Sequence, residues 1–312
     1  MKSHQGSPTP YRFNSTPEEL KLLLHAKSVL ESKHYLDTDR IAREIVEFCK
    51  GDGLAVYETL DRIKQDEPWE YIQGWTFFSG HKFIVNSSVL IPRPESEQLV
   101  ELMFNEVKNF IKPAREKGRI NIIDIGTGSG CIITSIFIKL RQELPQEQFN
   151  ELNFYAIDIS EDALEVAKSN AALNEIARDS ITFIHSDLLS RATSIDFTLP
   201  TFIVSNPPYV TSAEFEEADK SVTQYEPKIA LVADEEGLQF YRRIVNEINE
   251  KSIKIISVIF ETSPSVVDGI LNLLLKTDLS GESVKDIYEK ERFVVARNRS
   301  TQPVGPIPSP VD

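Results

Sequence analysis

Cysteine is nearly absent from this 312-residue chain, which holds only Cys49 and Cys131. Two cysteines build no disulfide framework and fit a reducing compartment. Histidine is sparse as well, with five scattered residues, so neither a structural zinc site nor any other metal site is expected. Long apolar runs are also missing: none reaches the roughly 18 residues of a membrane span. No signal-peptide apolar region follows the start. Positive charge is in deficit, with 34 Lys and Arg against 48 Asp and Glu and a net charge of −14. That balance disfavours a surface made mainly to hold phosphate backbone, although it leaves room for a local basic groove. The expectation is a cytoplasmic monomer with no membrane and no stable nucleic-acid partner. Residues 1–16 lack acids and contain a single arginine, Arg12; a transit peptide, hence a mitochondrial location, is the alternative.

What is present points to a large folded chain. Apolar residues make up 41% and charged residues 26%, and the length suits one large domain plus one small. Residues 1–16, rich in Ser, Pro and Gly, read as disordered, as does the proline-rich tail 300–312. Helical spacing begins at Leu20, Leu23 and Leu24, and continues in Ile41, Ile45, Phe48 and Cys49, with Gly51 placed as a stop. A third set, Val56, Leu60 and Ile63, ends before Pro68. Three amphipathic helices over 17–66 make a small domain that carries no obvious chemistry and suits substrate docking.

Residues 67–92 change pattern. Tyr71-Ile72, Trp75, Phe77-Phe78 and Phe83-Ile84-Val85, about Ser79-Gly80, read as a β-hairpin connector. From 93 to 299, after a helix carrying Leu99, Leu102, Met103 and Val107, strands and helices alternate. Strands are expected at 120–125, 154–157, 181–184, 202–205 and 253–260. Helices are expected at 129–141, 161–173, near 237–250 and from Pro264, with a closing antiparallel pair at 283–287 and 293–296. Repeated β-α units mean an α/β fold with a doubly wound, Rossmann-like parallel sheet.

In such sheets chemistry gathers beyond the carboxyl ends of the strands. Phe202-Ile203-Val204-Ser205 runs into Asn206-Pro207-Pro208-Tyr209, a turn whose prolines lack N–H groups. It therefore offers acceptors, the Asn206 side-chain oxygen and the Pro207 carbonyl, beside an aromatic face. That combination suits a planar NH2. Alone, the tetrapeptide would read as an ordinary proline turn. It has company, however. Asp124-Ile125-Gly126-Thr127-Gly128-Ser129-Gly130 opens a helix after an earlier strand, and its Gly-x-Gly-x-Gly pattern places Cys131 where a dinucleotide fingerprint has its third small residue. A short turn of this kind suits S-adenosylmethionine, which has no pyrophosphate to cradle. Asp124 would hold the turn or the ligand's ammonium. Asp158 ends the next strand, where a carboxylate can accept both ribose hydroxyls, and it would also favour the helix start without a ligand. Asp187 and Leu188 end the third strand, at the place for an adenine edge and face.

Taken together, these segments resemble the release-factor glutamine N5-methyltransferases, the PrmC/HemK family. The resemblance is carried by Glu67-Pro68-Trp69-Glu70-Tyr71-Ile72-Gln73-Gly74, Leu90-Ile91-Pro92-Arg93-Pro94-Glu95-Ser96-Glu97, Asp124 to Gly130, Ser205 to Val210 and Tyr225-Glu226-Pro227. It implies an S-adenosylmethionine-dependent methyltransferase that acts on the glutamine of a release factor's Gly-Gly-Gln loop. It also implies that Gly126, Thr127, Gly128, Ser129, Gly130, Asp158, Asp187, Leu188 and Asn206 meet the cofactor. Asn206, Pro207, Pro208 and Tyr209 would hold the substrate, with Asn206, Pro207 and Tyr209 at the reaction. Asn-Pro-Pro-Tyr is shared with nucleic-acid amino-methyltransferases, so methylation of an adenine, cytosine or guanine exocyclic amine is the alternative. The chain departs from the family pattern at Glu261-Thr262-Ser263-Pro264-Ser265, at Glu289 and at Leu188.

Overall fold

The protein was analysed as a computed structural model, which describes residues 16–111 and 118–300. The termini read as disordered lie outside it, apart from Thr16 and Ser300. The chain divides into two compact units between Gln73 and Gly74. The first holds α1 (Pro17–Ser32), α2 (Thr38–Phe48), α3 (Gly53–Lys64) and α4 (Trp69–Gln73). Thr16 and Glu19 form a reciprocal capping box that starts α1, and Asp52 caps α3 by accepting from Leu54 N. The apolar faces meet in one core containing Leu30, Ile45, Leu60, Ile63 and Trp69.

One sequence expectation is corrected here. Tyr71-Ile72 does not open a hairpin: Trp69–Gln73 is helical, started by the Pro68 carbonyl accepting from Tyr71 N and Ile72 N. Trp69 and Ile72, three apart, face the same way into the first unit's core. That helical repeat wins over the β propensity of the aromatic residues.

The second unit begins with a hairpin, β1 (Trp75–Phe78) and β2 (His81–Ile84), paired antiparallel. Then follow α5 (Glu97–Ile111), β3 (Ile120–Ile125), α6 (Cys131–Glu143), α7 (Gln146–Phe149), β4 (Leu152–Asp158), α8 (Glu161–Leu173), β5 (Ile181–His185) and β6 (Thr201–Ser205). The chain closes with α9 (Ser212–Glu217), α10 (Lys220–Tyr225), α11 (Gln239–Glu250), β7 (Ile255–Glu261), α12 (Val267–Leu274), β8 (Leu279–Lys285) and β9 (Glu291–Asn298). The main sheet has seven strands in the order β5-β4-β3-β6-β7-β9-β8. The first five are parallel, and β9 runs antiparallel to both β7 and β8.

Central strands covered on both faces need no polar alternation. Accordingly β3, β6 and β7 are buried at every position. Ile122, Phe202, Val204 and Ile259 enter one core layer with α5 and α6, while Ile123, Ile203, Val258 and Phe260 enter the other with α11 and α12. Strand order reverses between β3 and β6. Their parallel carboxyl ends splay the following connections to opposite sides and leave a crevice there.

Candidate active site

That crevice holds a cavity of about 250 Å³, room for a small molecule and not for a folded partner. The ends of β3, β4, β5 and β6 all open into it, and Ser88, Val89, Leu90, Pro92 and Arg93 line one side. It brings together Gly126, Thr127, Gly128, Ser129, Asp158, Asp187, Leu188, Asn206, Pro207 and Pro208. Gly130 and Tyr209 are the expected site residues absent from the lining.

The glycine turn is pinned from several directions. Gly126 N and Thr127 N both donate to Ile157 O on β4, at 2.8 and 2.9 Å. Thr127 Oγ1 donates to Asp124 Oδ2 at 2.7 Å. Asp124 is fully buried and off the lining, so it holds the turn; burial pushes its carboxyl up to about 7. Gly128 and Gly130 have φ of +53° and +74°, the left-handed region where a Cβ is costly. Their surroundings differ. A Cβ on Gly128 would meet nothing within 4 Å, whereas one on Gly130 would lie 2.9 Å from Ala167 Cβ on α8. Gly128 leaves space beside the cavity, and Gly130 lets α8 close on the turn. From the same helix, Asn170 donates to Ser129 O and Ile84 O and accepts from Ile84 N, which ties the hairpin to the turn.

Asp158 sits between the turn and α8. Its Oδ2 accepts from Gly128 N at 2.8 Å and its Oδ1 from Ser160 N at 2.9 Å. Burial raises its pKa, against the pull of these backbone bonds. Each oxygen retains a lone pair for a further donor. Asp187 accepts from Arg243 Nη2 at 2.8 Å, and Leu188 takes a left-handed φ of +50°.

At the β6 end, Asn206 Nδ2 donates to Ser96 Oγ at 3.4 Å, which leaves Oδ1 as the atom of this side chain able to accept from a ligand. Pro207 is buried and Pro208 half-buried. Tyr209 packs against the second core layer; burial raises the pKa of its hydroxyl, opposed by the nearby charges of Arg292 and Arg93. Its carbonyl is backed so closely by Gly237 that a Cβ there would come within 2.6 Å.

Several of these residues were invisible in the sequence reading. Phe240 and Arg243 line the cavity from α11, at the edge of the apolar face that buries Tyr241, Ile244 and Val245. An aromatic and a cation three apart at the edge of an amphipathic helix's apolar face were the available signal. Arg93 pairs with buried Glu226, which also accepts from Ile91 N. This contact joins the Pro-Arg-Pro-Glu and Tyr-Glu-Pro segments, 133 residues apart. At Glu289, where the family pattern has glycine, φ is +60°, so the backbone keeps the glycine-type conformation despite the side chain.

The family model for N-6 DNA methylases matches residues 92–259. A release factor glutamine methyltransferase of Flavobacterium psychrophilum is 38% identical over 272 residues, 85% of this chain and 88% of that protein. One from Bacteroides thetaiotaomicron is 37% identical, covering 90% of this chain and 93% of the relative. The chain belongs to the release factor glutamine methyltransferase family. Among solved structures, the hMettl16 catalytic domain in complex with a MAT2A 3'UTR hairpin matches this family member with a TM-score of 0.51 at 15% identity. It covers 72% of this chain and 77% of that one and shares the fold. As a family member the chain has the S-adenosylmethionine-dependent methyltransferase architecture that its sequence resemblance implies. Among the described residues no helix is long and apolar enough to cross a membrane.

Proposed function

We propose that this protein transfers a methyl group from S-adenosylmethionine to the side-chain amide nitrogen (N5) of the glutamine in the Gly-Gly-Gln loop of a peptide-chain release factor. The observation that carries the reading is one cavity lined by both the glycine turn and an asparagine whose amide nitrogen donates to Ser96. The open space at Gly126 and Gly128, and the acceptor-only carboxylate of Asp158, fit a nucleoside carrying an amino-acid tail. Gly126, Thr127, Gly128, Ser129, Asp158, Asp187 and Leu188 would hold it; Gly130 would act by seating α8. When bound, this group supplies an electrophilic methyl on a sulfonium.

The protein's own part is to make a poor nucleophile competent. An amide nitrogen's lone pair is delocalised into its carbonyl. Asn206 Oδ1 and the Pro207 carbonyl would each accept one N–H of the substrate amide. Neither acceptor has to reorganise during the reaction, because proline fixes φ and Ser96 holds the Asn206 amide. Two fixed acceptors orient the remaining nitrogen lobe toward the methyl, and alignment supplies the rate. The methylated nitrogen is strongly acidic, so its proton leaves without a strong base. Tyr209 would pack on the amide plane; it stands beside the cavity lining rather than in it, against the second core layer behind the turn.

The first unit, α1 to α4, is proposed to dock the release factor, and the protein to work as a cytoplasmic monomer without stable nucleic-acid binding. Methylation of a base amine is the competing reading, because its NH2 has the same shape, but it calls for a basic face that a net charge of −14 does not favour. Labelled S-adenosylmethionine offered in parallel with a release factor, DNA and ribosomal RNA tests the reading. Label is expected in the release factor and lost when its Gly-Gly-Gln glutamine is replaced by alanine. Label confined to nucleic acid would overturn it.

A further inference from the structure

Two stretches of the cavity lining lie far apart in the chain: the glycine turn, Gly126 to Ser129, and Ser88, Val89 and Leu90. A buried side chain that belongs to neither stands between the turn and β2. Asn170 lies inside α8 and is 0% exposed. Asparagine is a poor helix former and is costly to bury without partners. Its hydrogen bonds explain its place. Nδ2 donates to Ser129 O at 2.8 Å and to Ile84 O at 2.9 Å, and Oδ1 accepts from Ile84 N at 2.6 Å. Both amide protons are used, and a flipped amide would set Oδ1 against two carbonyl oxygens. The network admits one orientation. An apolar side chain of similar size could fill the space and hold neither backbone.

Ile84 leads directly to the second stretch. Val85 N donates to Gly74 O, and Asn86 then closes a tight turn, accepting from Ser88 N through Oδ1 and from Val89 N through its carbonyl. Val85 and Val89 are each 1% exposed. With the chain held at these points, a shift of β2 along α8 carries the cavity lining with it. The same face of α8 touches both sides again. Ala167 stands beside Gly130, and Asn174 Nδ2 donates to Lys82 O on β2 at 3.0 Å. Phe83 is buried in the first core layer as well. Apolar packing has no direction, however, whereas hydrogen bonds fix the position of a strand along its axis. We propose that Asn170 is a positioning residue that holds the glycine turn and the Ser88–Leu90 lining at one separation, so that the order of the β1–β2 hairpin is coupled to cofactor affinity. That the ligand is S-adenosylmethionine in this cavity rests on the reading above; the clamp between the two stretches does not. Such coupling is reciprocal: a hairpin held in register favours binding, and a bound cofactor holds the hairpin.

Calorimetry with S-adenosylhomocysteine and amide hydrogen exchange, both on the full chain, test this together. Asn170→Ala should weaken binding about tenfold, the scale of one net hydrogen bond. Asn174→Ala removes only the bond at the exposed edge and should weaken binding about twofold. In the wild type, saturating ligand should slow exchange at Val85 and Val89 as well as at the glycine turn. In Asn170→Ala the slowing should persist at the turn and be lost at Val85 and Val89, while β4 amides keep their wild-type rates. The Ile84 amide is left out of this comparison, because the substitution removes its acceptor directly. Wild-type affinity per folded molecule in Asn170→Ala, with Val85 and Val89 still responding to ligand, would leave Asn170 a structural residue and overturn the proposal. Should Asn170→Ala not fold, the same result in Asn174→Ala would overturn it. If the wild type binds no S-adenosylhomocysteine, the cofactor reading fails. Exchange without ligand then decides the clamp: Val85 and Val89 are expected to exchange faster in Asn170→Ala than in the wild type, and equal rates would overturn it.

Discussion

The turns after β3 and β6 leave neighbouring parallel strands and line one cavity, yet they are built in opposite ways. Gly126 to Gly130 uses residues with positive φ and pins itself through its own N–H groups to the end of β4. Asn206 to Pro208 has given up two N–H groups to proline and is held from elsewhere. Ser96 holds Asn206, Tyr209 packs on the second core layer, and Val210 N donates to Leu231 O. The first turn makes room and the second presents acceptors. A strand end in this fold thus says where chemistry happens, while the backbone type of the turn says which half of the chemistry it serves.

The first turn is most vulnerable at Gly130. Gly130→Ala combines a left-handed conformation, about 1–2 kcal/mol, with overpacking against Ala167, about 1–3 kcal/mol. A loss of roughly 2–5 kcal/mol of stability in chemical denaturation is expected, partly restored by adding Ala167→Gly. No recovery would mean that α8 does not close on the turn through this contact.

Next in size is Asn206→Ala, which removes the acceptor and not the strand. Single-turnover rates should fall on the order of 100-fold, about 2.7 kcal/mol, while cofactor affinity changes much less. A wild-type rate in the folded variant would reduce the second turn to a structural one.

Asp158→Ala should weaken cofactor binding by about 1.5–3 kcal/mol, measured by calorimetry. Because Asp158 also accepts from Gly128 N and Ser160 N, melting temperature should drop as well. Asp158→Asn, which keeps one acceptor, should lose less of both. Unchanged affinity in either variant would remove Asp158 from the cofactor site.

The smallest effect is expected from Gly128→Ala. It meets the same backbone penalty as Gly130→Ala, about 1–2 kcal/mol, but open space. If it proved as damaging to stability as Gly130→Ala, the two glycines would not have the separate roles assigned to them.

Much of the architecture was legible because it is written locally. Continuous apolar runs at Ile120–Ile125 and Thr201–Ser205 identify strands covered on both faces, and both strands are buried throughout. Glycine and proline clusters directly after them marked turns, since the backbone demands of a turn are met by the turn's own residues. The placement of Gly126 to Ser129, Asp158, Leu188 and Asn206 about one cavity followed from that register of strand ends. Local pattern failed where two local signals competed, as at Trp69–Gln73, where packing of Trp69 and Ile72 decided for helix. Only the tertiary structure could decide what stands behind the site. Ser96 and Asn206 are 110 residues apart, and Asp187 and Arg243 are 56 apart. Arg93 meets Glu226 across a similarly long stretch of chain. No periodicity encodes such pairs, because a hydrogen bond or ion pair depends on distance in space, and here that distance is set by sheet order and helix packing.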